Sequence, residues 1–180
     1  AQDVQKIQEE AAKQVGIYQS TGDAVPKGYV VGRALGAYTS ALPPDFERRL
    51  FELTAADRWL DVGAGEGRAI LEYYLPPSEA TQQQNSRKAQ AVAMSIEDRR
   101  TFDWHKTAAQ LDINKVRYLY GKGLGEYTLE ELGKFQVITD LLGGFSYTGN
   151  LSRFMEKTLS FLQVNGSFYS ILQDVHSEEG

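Results

Sequence analysis

Between residues 61 and 67 the chain reads Asp-Val-Gly-Ala-Gly-Glu-Gly, an acid followed by three glycines at alternate positions. Glycine admits positive φ and lets a backbone approach a ligand closely. Helical periodicity from Ala69 onward places unpaired amides and the positive end of a helix dipole just beyond the bend. Such a bend attracts an anion, either a pyrophosphate or an amino-acid carboxylate. Two features favour the carboxylate. A dinucleotide turn wants G-x-G-x-x-G, whereas here the third glycine falls at Gly67 and Arg68 stands where it would be needed. Asp61 would repel a pyrophosphate but could pair with an α-ammonium group, so a zwitterionic amino-acid tail satisfies both ends.

The elements that must hold this bend are legible around it. Trp59, Leu60 and Val62 predict a short strand running into the glycines, and residues 69–75 predict a helix that Pro76-Pro77 stops. The polar run 78–88, with Gln82-Gln83-Gln84, predicts a solvated loop. Residues 91–96 carry Val92, Met94 and Ile96 on one face and small side chains on the other. That pattern suits a central strand covered on both sides, ending at Glu97-Asp98. A helix over 100–111, a third strand over 116–120 and the turn Gly121-Lys122-Gly123-Leu124-Gly125 follow. Thr128-Leu129-Glu130-Glu131 is a capping-box pattern that opens a short helix ending at Gly133. Phe135, Val137 and Ile138 form a fourth strand up to Asp140, and Gly143-Gly144 turns the chain. Asn150 or its neighbour caps a helix through Leu162, and Asn165-Gly166 signals a turn ahead of a fifth strand over 167–172.

Strand and helix alternating in this way predict an α/β fold, a doubly wound, mostly parallel, Rossmann-like sheet ending after the fifth strand. Ligands of such sheets bind at the carboxyl ends of the strands where the strand order reverses, which singles out the 61–67 bend. Ahead of it, Val4, Ile7, Ala11, Val15 and Tyr18 predict an amphipathic helix; a second apolar stretch over 29–42 is closed by Pro43-Pro44, and residues 45–53 predict one more short helix. The chain divides into an N-terminal helical segment over 1–44, a lid or packing arm, and a ligand-binding core over 45–180, for which C-terminal truncation is an open expectation.

Composition bounds the function. With 180 residues and a hydrophobic fraction of 42%, the chain can bury one core and predicts a single soluble domain. A net charge of -5 offers no basic field for a phosphate backbone, which argues against nucleic acid. The absence of Cys excludes disulfides, thiolate metal sites and thiol nucleophiles. No apolar run reaches membrane-spanning length, so no membrane association is expected. A chain beginning Ala1-Gln2-Asp3 is compatible with simple Met removal, tag cleavage or signal-peptide cleavage; the first two are commoner for an acidic chain, so the cytoplasm is the expectation, with export as the alternative. His105 and His176 show no metal-pair or triad spacing, so no metal and no catalytic base is assigned.

The run 61–67 at the end of the first strand resembles motif I of class I S-adenosylmethionine-dependent methyltransferases. The acids at Glu97 and Asp140 and the Asn165-Gly166 turn fit the same order from about Asp45 onward. The resemblance implies that Gly63, Ala64, Gly65 and Gly67 pack under the methionine portion of S-adenosylmethionine, with Asp61 near its amino end. It also implies that Glu97 takes the ribose hydroxyls, with Asp98 as the nearby competitor, and that Asp140 belongs to the site in a less defined role; where the pattern's Asp after the third strand is missing, backbone from Gly123 and Leu124 is expected to meet the adenine instead. Two positions depart from the pattern: Lys122 stands where an Asp often meets the adenine amino group, and Gln136 where the fourth strand often begins with Asp. The implied activity is methyl transfer to an unidentified acceptor, a small molecule first and a protein side chain second. The segment Asp140-Leu141-Leu142-Gly143 lacks the Asp/Asn-Pro-Pro-aromatic pattern of nucleic-acid amino methyltransferases. Residues 143–147, including Tyr147, together with 29–38 are candidates to line the acceptor pocket. The alternatives are a non-catalytic cofactor-binding or scaffolding domain with the same fold and, third, a nicotinamide-dependent oxidoreductase.

Overall fold

Five parallel strands form one sheet in the order β3-β2-β1-β4-β5 in the computed structural model, which describes residues 32–75, 87–112, 114–143 and 150–171. The strands are β1 (Arg58–Val62), β2 (Gln90–Met94), β3 (Val116–Leu119), β4 (Phe135–Leu141) and β5 (Leu162–Ile171). The helices are α1 (Leu35–Ala41), α2 (Asp45–Glu52), α3 (Arg68–Tyr74), α4 (Phe102–Ala108), α5 (Leu129–Leu132) and α6 (Leu151–Ser160), with a 3-10 turn at Leu124–Glu126. The order reverses between β1 and β4, so the crevice of this doubly wound sheet opens beside the end of β1.

Each face of the sheet carries its own core. Register aligns Leu60 with Val92 of β2 and Ile138 of β4, and Trp59 with Ala91 and Val137. Trp59, Ala91, Ala93 and Val137 pack with Tyr38 of α1, Phe46 and Leu50 of α2, Ile70 and Tyr73 of α3, and Trp104 of α4. Leu60, Val92, Met94 and Ile138 pack on the other side with Leu124, Leu132 and Phe161. A parallel sheet covered on both faces has to be apolar on both, which is why its strands read as nearly continuous hydrophobic runs. Trp59, Leu60, Val92 and Ile138 are all fully buried, each stabilising the fold by roughly 1.5–3 kcal/mol relative to an exposed side chain.

Three sequence expectations change at element ends. β2 stops at Met94, so Ile96 is not on its apolar face but 46% exposed beyond it. The extended backbone continues there through bonds from Ser95 N–H to the Leu119 carbonyl and from Gly121 N–H to the Ile96 carbonyl. Asn165-Gly166 is a turn inside β5 rather than ahead of it. Phe135 faces Leu162 and Val137 faces Ser167, so β5 advances five residues where β4 advances two; Asn165 takes φ 63° in the resulting bulge. Helix α6 ends at Ser160, because Leu162 is already paired with β4.

The local helix signals behave as their chemistry requires. Asn150 accepts a bond from Arg153 N–H at 3.0 Å, and Thr128 Oγ1 accepts one from Glu131 N–H at 3.2 Å while Glu131 Oε2 accepts from Thr128 N–H at 2.8 Å. Thr128→Ala removes half of this box and is expected to cost about 1 kcal/mol, measured as a lower urea midpoint at unchanged m-value.

Of the N-terminal segment, α1 is described, and it packs on α3: Leu35 N–H donates to Glu72 Oε2 at 2.7 Å. The expected helix over 4–18, most of the loop over 78–88, Gly144, Tyr147, Leu172 and His176 lie outside the described residues. Among the described residues no helix is long and apolar enough to cross a membrane.

Candidate functional site

The bend at the end of β1 is built from backbone. Gly63, Gly65 and Gly67 take φ of 69°, 57° and 72°, a region that costs other L-residues about 1–2 kcal/mol each, which accounts for a glycine at every second position. Ala64 N–H donates to the Met94 carbonyl and Gly67 N–H to the Ala64 carbonyl, both at 2.9 Å, fixing the bend against β2. The amides of Gly65 and Glu66 have no acceptor among the described residues. Two adjacent uncommitted N–H groups in a positive-φ bend form a concave donor pair suited to a carboxylate. The chain after β4 passes close by, because a Cβ on Gly143 would lie 2.8 Å from the Val62 carbonyl and 3.0 Å from Gly63 Cα.

Asp140 belongs to this edge. It is fully buried, sits in register with Val62 on one side and Ser170 on the other, and accepts a bond from Gly143 N–H at 2.7 Å through Oδ1. Its carboxylate thereby shapes the turn that runs past the glycines.

Asp61 is placed differently from the open partner of an ammonium group that the sequence suggested. Its carboxylate is fully buried: Tyr38 of α1 donates to Oδ2 at 2.7 Å, and Thr139 of β4 donates to Oδ1 at 2.8 Å. Thr139 in turn accepts from Trp59 Nε1 at 3.0 Å. Burial pushes the Asp61 carboxyl up to about 7, with nearby Asp140 adding to the rise and the Tyr38 and Thr139 bonds opposing it. With no exposed surface, this carboxylate is out of reach of a ligand ammonium unless the packing around it moves. As it stands, Asp61 ties α1 and β4 to the strand that carries the bend.

After β2 the two candidate ribose acids are distinguishable. Asp98 has both oxygens engaged by Arg100, whose Nε and Nη2 donate to Oδ1 and Oδ2 at 2.8 Å each and whose N–H adds a third bond to Oδ1 at 3.1 Å. The Arg100 bonds hold the Asp98 carboxyl below its ordinary range. Glu97 is engaged through Oε2 only, by Arg99 Nη2 at 2.7 Å, which leaves Oε1 without a partner among the described residues. Gly123 N–H already donates to Glu126 Oε2 at 2.7 Å, so the adenine contact expected from that amide is taken up inside the 3-10 turn. Leu124 is buried in the core on the α5 and α6 side.

Three residues that the sequence did not single out complete the arrangement, Thr139, Trp104 and Tyr118, and Tyr38, expected in the stretch lining an acceptor pocket, is instead buried with its hydroxyl on Asp61. Trp104 lies over Gly67, where a Cβ would fall 2.4 Å from its ring. Tyr118 of β3 packs edge-on against Trp104 with centroids 5.2 Å apart and donates to the Gly65 carbonyl at 2.6 Å. Neither contact has a spacing signature, since 37 residues separate Gly67 from Trp104 and 53 separate Gly65 from Tyr118.

No family model matches the chain, and no curated protein matches it. Solved structures do. Coclaurine N-methyltransferase bound to N-methylheliamine and SAH is 13% identical, over 76% of this chain and 33% of that one, at a TM-score of 0.53. PKMT2 from Rickettsia typhi in complex with AdoHcy is 20% identical, over 71% of this chain and 24% of that one, at 0.50. The YcgJ protein from Bacillus subtilis is 15% identical, over 76% of this chain and 48% of that one, at 0.50. The chain matches less than half the length of each of these proteins. Identities this low speak to architecture, and with the parallel 3-2-1-4-5 sheet and the glycine bend after β1 they show that the chain has the class I, Rossmann-like methyltransferase fold.

Proposed function

We propose that the chain binds S-adenosylmethionine at the 61–67 bend and transfers its methyl group to an acceptor, a small molecule in preference to a protein side chain. The observation that carries this reading is the pair of amides at Gly65 and Glu66 that have no acceptor among the described residues, in a bend of three positive-φ glycines at the point where strand order reverses. The residues fit the cofactor: the donor pair suits the carboxylate of its amino-acid tail, and Glu97 Oε1 is an open acceptor for a ribose hydroxyl. An already activated methyl group is what S-adenosylmethionine supplies when bound, so the protein is left to bind, orient and exclude water. In this account Gly63 and Gly67 shape the bend, Ala64 locks it to β2, Asp140 holds the turn beside it, and Asp61 anchors the strand from behind.

Calorimetry with S-adenosylmethionine, S-adenosylhomocysteine and NAD in turn tests the reading. Saturable binding of the first two and no heat with NAD is expected; NAD binding, or silence from all three, overturns it. Cofactor binding without methyl transfer to any of a broad panel of acceptors would reassign the chain as a non-catalytic cofactor-binding domain.

The two acids give a sharper expectation. Glu97→Gln is expected to weaken S-adenosylhomocysteine binding about 10- to 100-fold, the value of a hydrogen bond to a charged group, and Asp98→Asn by less than about threefold because its oxygens already serve Arg100. Titration calorimetry of both variants checks this, and the reverse ranking would assign the ribose to Asp98.

A further inference from the structure

Tyr118 stands between the two halves of the proposed site. Its hydroxyl donates to the Gly65 carbonyl at 2.6 Å and accepts from Arg99 N–H at 3.1 Å, with the Glu97 carbonyl a further 3.3 Å contact. One oxygen atom thus connects the glycine bend after β1 to the loop after β2 that carries Glu97. The ring is held from two sides, by Trp104 at 5.2 Å and by the Arg100 guanidinium 5.5 Å from its centroid. Trp104 also covers Gly67, and Arg100 also grips Asp98, so these two neighbours of Tyr118 each reach one of the two loops. Burial raises the pKa of the hydroxyl, which therefore keeps the proton it donates to Gly65 throughout the neutral range.

We infer that Tyr118 is a positioning residue that sets the distance between the carboxylate-binding bend and the ribose-binding acid, and so selects ligands that carry a nucleoside and an amino acid at a fixed separation. The inference rests on the cofactor reading above and deepens it. Gly65 and Arg99 lie on different loops, and within the described residues the Tyr118 hydroxyl is the side-chain group bonded to both, two residues from Glu97 on the second loop. A ligand that uses only the nucleoside half can follow the Glu97 loop if it shifts. A ligand that spans both halves cannot.

Tyr118→Phe deletes the hydroxyl and keeps the ring with its Trp104 and Arg100 contacts. Calorimetry with S-adenosylhomocysteine and, separately, with adenosine reads the two cases. For the variant, S-adenosylhomocysteine is expected to bind about tenfold more weakly than to the wild type, the scale of one lost hydrogen bond, while adenosine affinity stays within about twofold. Unchanged S-adenosylhomocysteine affinity overturns the inference. A parallel loss for both ligands also overturns it, because it would mean that the hydroxyl only supports the fold. Failure of the wild type to bind S-adenosylhomocysteine would instead overturn the cofactor reading itself.

Discussion

Gly67→Ala is expected to lower stability by roughly 2–5 kcal/mol and to abolish measurable S-adenosylhomocysteine binding. Two costs add at this position. Gly67 takes φ 72°, where an alanine Cβ crowds the following carbonyl, at about 1–2 kcal/mol. The same Cβ would sit 2.4 Å and 2.6 Å from Trp104 Cζ3 and Cε3. Trp104 is 3% exposed and braced by Tyr118, so it cannot swing into solvent, and overpacking of this kind costs about 1–3 kcal/mol more. Relief by moving the backbone would displace the amides of Gly65 and Glu66, which is why binding should fail together with stability. Gly121 separates the two costs, because its φ is 92° but a Cβ there meets nothing within 4 Å. Gly121→Ala is therefore expected to lose only about 1–2 kcal/mol. Urea unfolding of both variants checks the comparison, and equal losses would contradict the role given to Trp104.

The second large effect is a pH dependence. The Asp61 carboxyl has a pKa raised from the ordinary 3.8 to about 7 in the folded chain. Below pH 3.8 the group is protonated whether the chain is folded or not, and it adds no pH-dependent term. Between about 4 and 7 the folded state keeps the proton while the unfolded state has lost it, so stability falls by up to about 1.4 kcal/mol per pH unit. Above about 7 both states are ionised and the whole penalty, on the order of 4 kcal/mol, is in place. Asp61→Asn removes the titration; its amide can still bond Tyr38, whose hydroxyl can accept as well as donate. The stability of the variant relative to the wild type should therefore rise by several kcal/mol between pH 4 and pH 8, measured by denaturant unfolding at both. Using the difference cancels carboxylates with the opposite slope, such as Asp98 with its lowered pKa. A difference that does not move with pH would show that Asp61 titrates normally.

What could be read from the sequence follows the range of the forces involved. The Thr128 capping box and the Asn150 cap involve partners three residues away, and both form as the residue types require. The glycine bend is equally local: alternate glycines behind a strand announce positive φ, and the structure has it at all three. Strand and helix alternation was enough for an open parallel sheet, since consecutive parallel strands need crossovers. The bulge in β5 was harder, because Asn165-Gly166 encodes a tight backbone turn but only pairing with β4 decides that it lies inside a strand. Asp61 shows the limit most clearly. Its position before the glycines suggested an acid paired with a ligand's α-ammonium group, yet its environment is made by Tyr38, 23 residues upstream, and Thr139, 78 residues downstream. Both donors arrive through packing of α1 and register of β4, neither of which spacing along the chain can encode.

The central claim is that the bend after β1 holds an amino-acid carboxylate on backbone amides, and a crystal structure grown with S-adenosylhomocysteine tests it most directly. The expected result is density for the ligand tail within hydrogen-bonding distance of the Gly65 and Glu66 N–H groups, with the ribose hydroxyls turned toward Glu97. A bend left without ligand at saturating concentration, or a nucleoside bound with its tail directed away from these two amides, would contradict the account.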